Sequence, residues 1–508
     1  MWGYLMTSFL QRTTRTPRGF SDRGSYELNA MRHMLHIISS LWELHGFEAL
    51  DTPIVEYSSA LGQFLQEQDQ TTSEIFSWKD QDDQWLALRY DLTAPLARFA
   101  ARNWDTLSKP YRSYRSGWVF RNEKPGASRF RQFMQCDADI LSSKTVAADA
   151  ELCMLMADTL SKLGVSTTNY RIRLNNRKIL DGLLKLIGTT IHDTPKKCNI
   201  RMRALRAIDK LDRLGIDAVC SLLGPGRMDD SGDFTKGAGL ADVEINKVLS
   251  YLQGGANSSS SEETINAMEE LVSDTTIGRE GINELRQINN IITAMGYSQV
   301  ITVDPSIVRG LEYYTGPIYE ASIVNSEHLN SSTDSVGGGG RYDNLISRLN
   351  RNLDNNSSAS SGFSIGISRL FTVMNSTGGS FPGFEQSKSV GPIIITVIDP
   401  SYLIHYHKLA NQLHQADIKS EVYAGDGNLK VQMKYADRRN APCAIIQGRK
   451  EMSQGVIQIK NLILGKQLSK TVSSNKEWRE NHPAQLSVPE YQMVPTIKVA
   501  TLLTVTQG

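Results

Sequence analysis

Residues 110–141 read PYRSYRSGWVFRNEKPGASRFRQFMQCDADIL. Apolar and polar residues alternate on both sides of the turn-prone Lys124-Pro125-Gly126-Ala127-Ser128, which is the pattern of a long antiparallel hairpin. Side chains in a strand alternate faces, so Gly117, Val119, Arg121 and Glu123 share one face of the first strand. Arg129, Arg131, Phe133, Gln135, Asp137 and Asp139 share one face of the second. If the two faces coincide, guanidiniums, one ring, an amide and carboxylates lie on a single surface. A solvated sheet face is the ordinary fate of alternating charge. Two features oppose it here. Lys109–Gln135 holds seven basic residues against Glu123 alone. A lone ring between arginines and acids also suits a ligand that stacks and carries both signs of charge, such as a nucleotide with an amino acid.

Outward from the hairpin, residues 25–45 carry Leu28, Met31, Leu35, Ile38, Leu41 and Trp42 at amphipathic-helix spacing, closed by Gly46, and a second helical pattern covers 145–163. Residues 170–300 read as mainly helical, with a charged stretch Arg201–Arg213 and a low-complexity break Gly254–Glu263, and are expected to form a separate lobe. Arg201, Arg203, Arg206, Lys210 and Arg213 are either a nucleic-acid clamp or a solvated helix. Beta character returns at 299–324, followed by the four-glycine run Gly337–Gly340 and an apolar stretch with Gly366 and Arg369. Beyond the linker Asn375–Gly383, strands (Pro392–Ile398, Ile418–Ala424, Cys443–Gly448) alternate with helices (Ser401–Ala416, Asn428–Arg439), as in a parallel or mixed α/β unit. From about 470 the tail offers no usable pattern.

Composition limits the function classes. The chain has 508 residues with 55 Lys+Arg against 54 Asp+Glu, a net charge of +1. At roughly 150 residues per domain it holds about three domains. Near-neutrality excludes binding nucleic acid by bulk charge and leaves room for a local basic site. No apolar run approaches the ~20 residues of a membrane span. Five scattered cysteines (Cys136, Cys153, Cys198, Cys220, Cys443) form no disulfide framework and fit a reducing compartment, while His405 and His407 lack a third ligand at zinc spacing. The first 21 residues hold Arg12, Arg15 and Arg18 without an acid, so organellar targeting by residues 1–16 and a plain bacterial start, as at Met6, are both open. There is no G-x-x-x-x-G-K-[ST] loop and no strand-linked G-x-G-x-x-G, so arginines and a metal would have to hold any triphosphate. Gly337–Gly340 is open between a phosphate cradle, a close backbone approach to a ligand and a turn.

Phe120–Gln135 (FRNEKPGASRFRQFMQ), Val308–Glu320 (VRGLEYYTGPIYE), Gly337–Leu345 (GGGGRYDNL) and Gly362–Leu370 (GFSIGISRL) resemble, in order, the signature segments of the histidyl-tRNA synthetases. Residues 391–465 resemble the family's anticodon-binding domain. The resemblance implies an α+β fold: a class II antiparallel catalytic sheet flanked by helices, a mainly helical insertion and a C-terminal α/β domain. The implied order is an N-terminal extension (1–16), catalytic residues 17–185, the insertion (186–298), catalytic residues 299–385, the anticodon-binding domain (390–470) and a C-terminal extension (471–508). It further implies a cytoplasmic homodimer, not bound to a membrane, that uses ATP and Mg²⁺ to attach L-histidine to histidine tRNA. Carried over by residue, Arg121 holds the α-phosphate, Glu123 and Phe133 meet adenine, and Arg129 and Arg369 meet phosphates. Asp91 and Thr93 bind the amino group; Gln135, Asp139, Tyr313, Tyr314 and Tyr342 form the histidine pocket; Arg309 acts with Arg121 in catalysis and binds histidine. The resemblance assigns no protein ligand to the metal.

Three departures from the family pattern stand out. Glu312 and Asp139 are acid-for-acid changes. Ser368 replaces a glutamate common in class II enzymes, which puts the metal count in doubt. Lys124 and Gly126 stand where many bacterial relatives carry Arg and Gln to read the extra 5′ guanosine of histidine tRNA, so altered reading of that end is expected. Lys430, Lys434 and Arg438 form a basic stripe at i, i+4, i+8, open between a solvated face and tRNA phosphate contact. The alternative function is a non-catalytic, histidine-binding regulatory paralogue, which is expected to lack Arg309, the hairpin loop and the C-terminal domain. The chain has all three.

Overall fold

The computed structural model describes residues 14–62, 75–126, 130–189, 195–228, 232–254, 258–308, 310, 314–324, 334–350, 352–353, 358–376, 391–468 and 484–505. The chain divides into two compact units, Met1–Phe384 and Glu385–Gly508.

The first unit is built on an eight-stranded sheet: β1 (Glu48–Ala49), β2 (Tyr111–Phe120), β3 (Gln132–Leu141), β4 (Tyr170–Asn176), β5 (Ile301–Val303), β6 (Pro317–Ile323), β7 (Asp334–Arg341) and β8 (Ser361–Gly366), in the order β1-β2-β3-β8-β7-β6-β4-β5. The two end pairs are parallel and every pair between them is antiparallel. The hairpin decides the rest. Gly117 pairs with Gln135, Val119 with Phe133 and Arg115 with Asp137, so the two polar faces of its strands do coincide.

Paired residues share a face, so the register reads as rows across the sheet. Ser113, Asp139, Gly362 and Gly340 form one row, and Arg115, Asp137, Ser364, Gly338 and Glu320 the next. The opposite face carries Tyr114, Ala138, Phe363, Gly339, Tyr319 and Leu174, then Cys136, Ile365, Gly337, Ala321 and Ile172. This apolar face is covered by α1 (Ser25–Leu44) and α3 (Ala147–Lys162), with Met31, Met34, Ile38, Trp42, Leu152, Leu155 and Met156 in one core. Trp42 meets Phe363 edge-on at 5.3 Å, and its Nε1 donates to Thr159 Oγ1 at 2.9 Å. Cys136 is therefore a core residue, not a nucleophile.

Two expectations change here. The glycine run is neither a turn nor a phosphate cradle: Gly337–Gly340 lie inside β7, hydrogen-bonded on both sides. The described residues of 186–298 hold five helices and a short hairpin, yet they are not a unit apart. Helix Thr276–Ala294 packs against Arg177–Leu186 and α3, and Leu205, Val219, Ile265 and Leu285 join the same core as the sheet. Arg201 is buried and ion-paired with Asp181, so the basic stretch is partly structural.

The second unit has strands β9 (Ile393–Ile395), β10 (Ser420–Val422), β11 (Cys443–Ile446), β12 (Val456–Asn461) and β13 (Gln485–Pro489) in the order β10-β9-β11-β12-β13, the first three parallel and the last two antiparallel. The tail without pattern belongs to this fold. Gln485–Pro489 is its edge strand, and helix Met493–Val505 puts Met493 and Ile497 into the core with Tyr406, Leu409, Ile445 and Ile457. Its residues are apolar almost all round, so no stripe marked it as a surface helix.

Candidate active site

The polar rows of β2, β3 and β8 carry the site. Asp139 and Arg115 are both almost fully buried and paired with each other, and the Tyr342 hydroxyl donates to the second oxygen of Asp139. Arg115 Nη1 donates to Ser113 Oγ at 2.9 Å. Burial lowers the Arg115 pKa, but Asp139 and Asp137 outweigh it and raise the pKa overall. Stranding either member of such a pair costs about 3–5 kcal/mol. Gly362 faces Asp139 across the ladder, and a Cβ there would collide with the carboxylate. The glycine thus makes room for the acid to lie across the sheet.

Asp139 and Tyr342, both expected in the histidine pocket, are hydrogen-bonded to each other. Arg115 was missed as a site residue. The face alternation, extended from Gly117 two residues back, contained it.

One row along, Asp137 is fully buried. Gln135 Nε2 donates to Asp137 Oδ1 at 2.8 Å and to Oδ2 at 3.1 Å, and also to Ser364 Oγ at 3.2 Å. Thr93 Oγ1 donates to Asp137 Oδ2 at 3.4 Å. Burial, then the neighbouring Asp139, push the Asp137 carboxyl up to about 7 against the pull of Arg115 and of hydrogen bonds from the Gln135 and Ser364 side chains. Thr93 opens α2 (Thr93–Asn103), and Asp91 Oδ1 accepts from Ala94 N at 2.9 Å in its first turn. Burial raises the Asp91 pKa, while the Ala94 amide and Arg121 lower it. Thr93 and Gln135 thus meet at one carboxylate, and Asp91 stands two residues before Thr93.

At the open end of the hairpin, Arg121 Nε donates to Tyr90 O at 3.2 Å, its backbone amide donates to Arg131 O at 2.9 Å, and its guanidinium lies 5.3 Å from the centroid of Phe133. Glu123 is 4.0 Å from Arg121 and about as exposed. Other basic residues of the hairpin are tied to protein: Lys109 to Trp104 O, Arg112 to Glu151, and Arg131 to Glu123 O at 3.0 Å. Lys124 and Gly126 are exposed at its tip. Tyr314 lies against Gly310, whose φ is +63°, and against Gly340. Arg369 is half-buried in the first turn of α4 (Ile367–Ser376). Ser368 is buried and its hydroxyl accepts from Met134 N at 2.9 Å, so the position expected to carry a carboxylate instead ties α4 to β3. Arg129, Arg309, Glu312 and Tyr313 lie outside the described residues. In the second unit Lys430, Lys434 and Arg438 are exposed on helix Leu429–Arg438.

An antiparallel floor with arginines and a ring at one end, a buried acid and amide pocket at the other, and a separate α/β unit is the build of a class II aminoacyl-tRNA synthetase. The sequence profile of histidyl-tRNA synthetase matches residues 19–370, and that of the anticodon binding domain matches residues 393–478. The chain is 49% identical over 490 residues to the histidine–tRNA ligase of Bartonella bacilliformis, covering 95% of this chain and 96% of that protein. It is 48% identical over 491 residues to that of Brucella suis, covering 95% of each. Among solved structures, the histidyl-tRNA synthetase from Nostoc sp. PCC 7120 superposes with a TM-score of 0.68 at 22% identity, covering 96% of this chain and 99% of that one. An ATP phosphoribosyltransferase regulatory subunit/histidyl-tRNA synthetase from Bacillus halodurans superposes with a TM-score of 0.62 at 19% identity, covering 83% of this chain and 96% of that one, a likeness of fold alone. The chain belongs to the histidyl-tRNA synthetase family.

Proposed function

We propose that this chain is a histidine–tRNA ligase, which activates L-histidine with ATP and transfers it to histidine tRNA. The observation that carries the reading is the single polar face on which Arg121 and Phe133 stand beside the Gln135–Asp137–Thr93 cluster. A carboxylate oxygen of histidine attacks the α-phosphorus of ATP, the bond to the β-phosphate oxygen breaks, and pyrophosphate leaves. Both reactants are anions, so positioning and charge neutralisation supply most of the acceleration. Arg121 takes the α-phosphate, Phe133 stacks on adenine, Glu123 lies near its edge, and Arg129 and Arg369 meet the remaining phosphates. Arg309 joins Arg121 at the carboxylate. Asp91, Thr93 and Gln135 hold the ammonium end of histidine, while Tyr313, Tyr314 and Tyr342, the last backed by Asp139, wall the imidazole. A ligand without the imidazole nitrogens would leave buried polar groups unpaired, which is heavily penalised. In the second step a hydroxyl of the terminal adenosine attacks the histidyl carbonyl and AMP leaves.

Mg²⁺ enters with the phosphates of ATP as part of the substrate. Among the described residues no group of three or more His, Cys, Asp or Glu side chains is arranged to hold a metal ion, and the Ser368 hydroxyl is spent on Met134. The exposed stripe Lys430, Lys434 and Arg438 suits tRNA phosphates. A homodimer is supported by the three-stranded sheet of Val55–Tyr57, Ser77–Lys79 and Trp85–Leu88, which turns Val55, Tyr57 and Trp78 outward as an apolar face for a second copy. No helix among the described residues is long and apolar enough to cross a membrane, and the five cysteines are free thiols, in keeping with a cytoplasmic enzyme.

Histidine-dependent ATP–pyrophosphate exchange tests the reading. The unmutated chain exchanges, and Arg121→Ala or Arg309→Ala lowers the rate by about a hundredfold or more, the scale of losing one charge-stabilising donor. Histidine binding without exchange would leave only the regulatory paralogue.

A further inference from the structure

Asp137 has no solvent-exposed surface, and no step of the reaction above uses it. Yet both of its oxygens receive hydrogen bonds from groups assigned to the histidine pocket, Gln135 Nε2 on Oδ1 and Oδ2 and Thr93 Oγ1 on Oδ2. Gln135 Nε2 also donates to Ser364 Oγ at 3.2 Å. A primary amide has two N–H groups and one carbonyl oxygen. With both N–H groups turned into the sheet, Oε1 is the atom left to face a ligand. A half-turn of the amide would set that oxygen against the Asp137 carboxylate at hydrogen-bond distance, two acceptors in contact whenever the acid is ionised. Position 137 is held in its turn: it pairs across the ladder with Arg115 on one side and Ser364 on the other.

We propose that Asp137 is a positioning residue that locks the Gln135 side chain with its carbonyl oxygen toward bound histidine, so that this wall offers the substrate an acceptor and no donor. An acceptor there favours a protonated amine and disfavours groups that can only accept. The proposal rests on the assignment of Gln135 and Thr93 to the histidine pocket, and it adds a residue that never touches the substrate.

The test is ATP–pyrophosphate exchange with the full-length chain, reading the KM for histidine and for ATP together with the melting temperature. Asp137→Ala is expected to raise the histidine KM by about tenfold or more, the scale of an unmade buried hydrogen bond, with the ATP KM unchanged. Gln135→Glu is expected to raise it as well, by setting two carboxylates face to face. The double variant Asp137→Asn with Gln135→Glu exchanges donor for acceptor inside the pair and leaves an oxygen facing the ligand, so its histidine KM falls back below those of both Asp137→Ala and Gln135→Glu. A histidine KM unaffected by Asp137→Ala would overturn the proposal. So would equal losses in the ATP KM and melting temperature, or a double variant no better than the single ones. Absence of histidine-dependent exchange in the unmutated chain would overturn the function beneath it, a result distinct from all of these.

Discussion

Two carboxylates two residues apart on one strand, Asp137 and Asp139, both feel the buried guanidinium of Arg115, and they are not equivalent. Asp139 has Arg115 and the Tyr342 hydroxyl in direct contact, whereas Asp137 is held by an amide and a hydroxyl and has its pKa pushed up to about 7. A carboxyl whose folded pKa lies above its unfolded value near 3.8 takes up a proton on folding in the window between the two. Its charge therefore costs stability above about pH 7, and the cost is relieved as pH falls toward 4. Asp137→Asn removes that titration. The melting temperature of the variant minus that of the unmutated chain should be more positive near pH 8 than near pH 5. A difference independent of pH in melting experiments would show that Asp137 stays ionised throughout.

The hairpin was the element most legible in the sequence, because strict alternation specifies both that it forms and which side chains share a face. The register made the faces coincide and set Phe133, Gln135 and Asp139 on one of them, with Arg121 just past the end of the partner strand. Arg115 was less legible: nothing in a sequence separates an arginine that meets a ligand from one that neutralises a buried acid, since that depends on the strand opposite. The four glycines of β7 were harder still. Glycine carries no apolar signature, and only the neighbours across the ladder show that the run is a strand. Ser368 was read by its difference from an expected acid, but what it does, accepting from Met134 N, depends on where α4 docks. The exposed hairpin tip carries a prediction of its own. With Lys124 and Gly126 there instead of Arg and Gln, charging of histidine tRNA transcripts should depend little on the extra 5′ guanosine; a strong demand for that base in charging assays would sink the idea.

At the scale of the whole molecule, the residues assigned to activation all lie in the first unit, and the second unit depends on its tail for an edge strand and part of its core. A chain ending at Leu468 would uncover the edge of β12 and remove Met493 and Ile497, a cavity-forming loss in a small core. Such a chain should keep pyrophosphate exchange within about twofold while tRNA charging falls about tenfold or more, with the second unit's melting step lost. Unchanged charging would refute the dependence. The alternating rows of the first sheet reach further than one protein's chemistry. Deleting one residue within Gln132–Leu141 would swing Cys136 and Ala138 into the pocket and drive two aspartates into the hydrocarbon beneath, so such deletions should be purged from any lineage that keeps the enzyme. Lys124–Gly126, between the nucleotide-site residues Glu123 and Arg129, lies outside the paired strands and has no such parity to protect. Length variation can accumulate there without disturbing the floor, which leaves tRNA reading free to diverge while amino-acid recognition stays fixed.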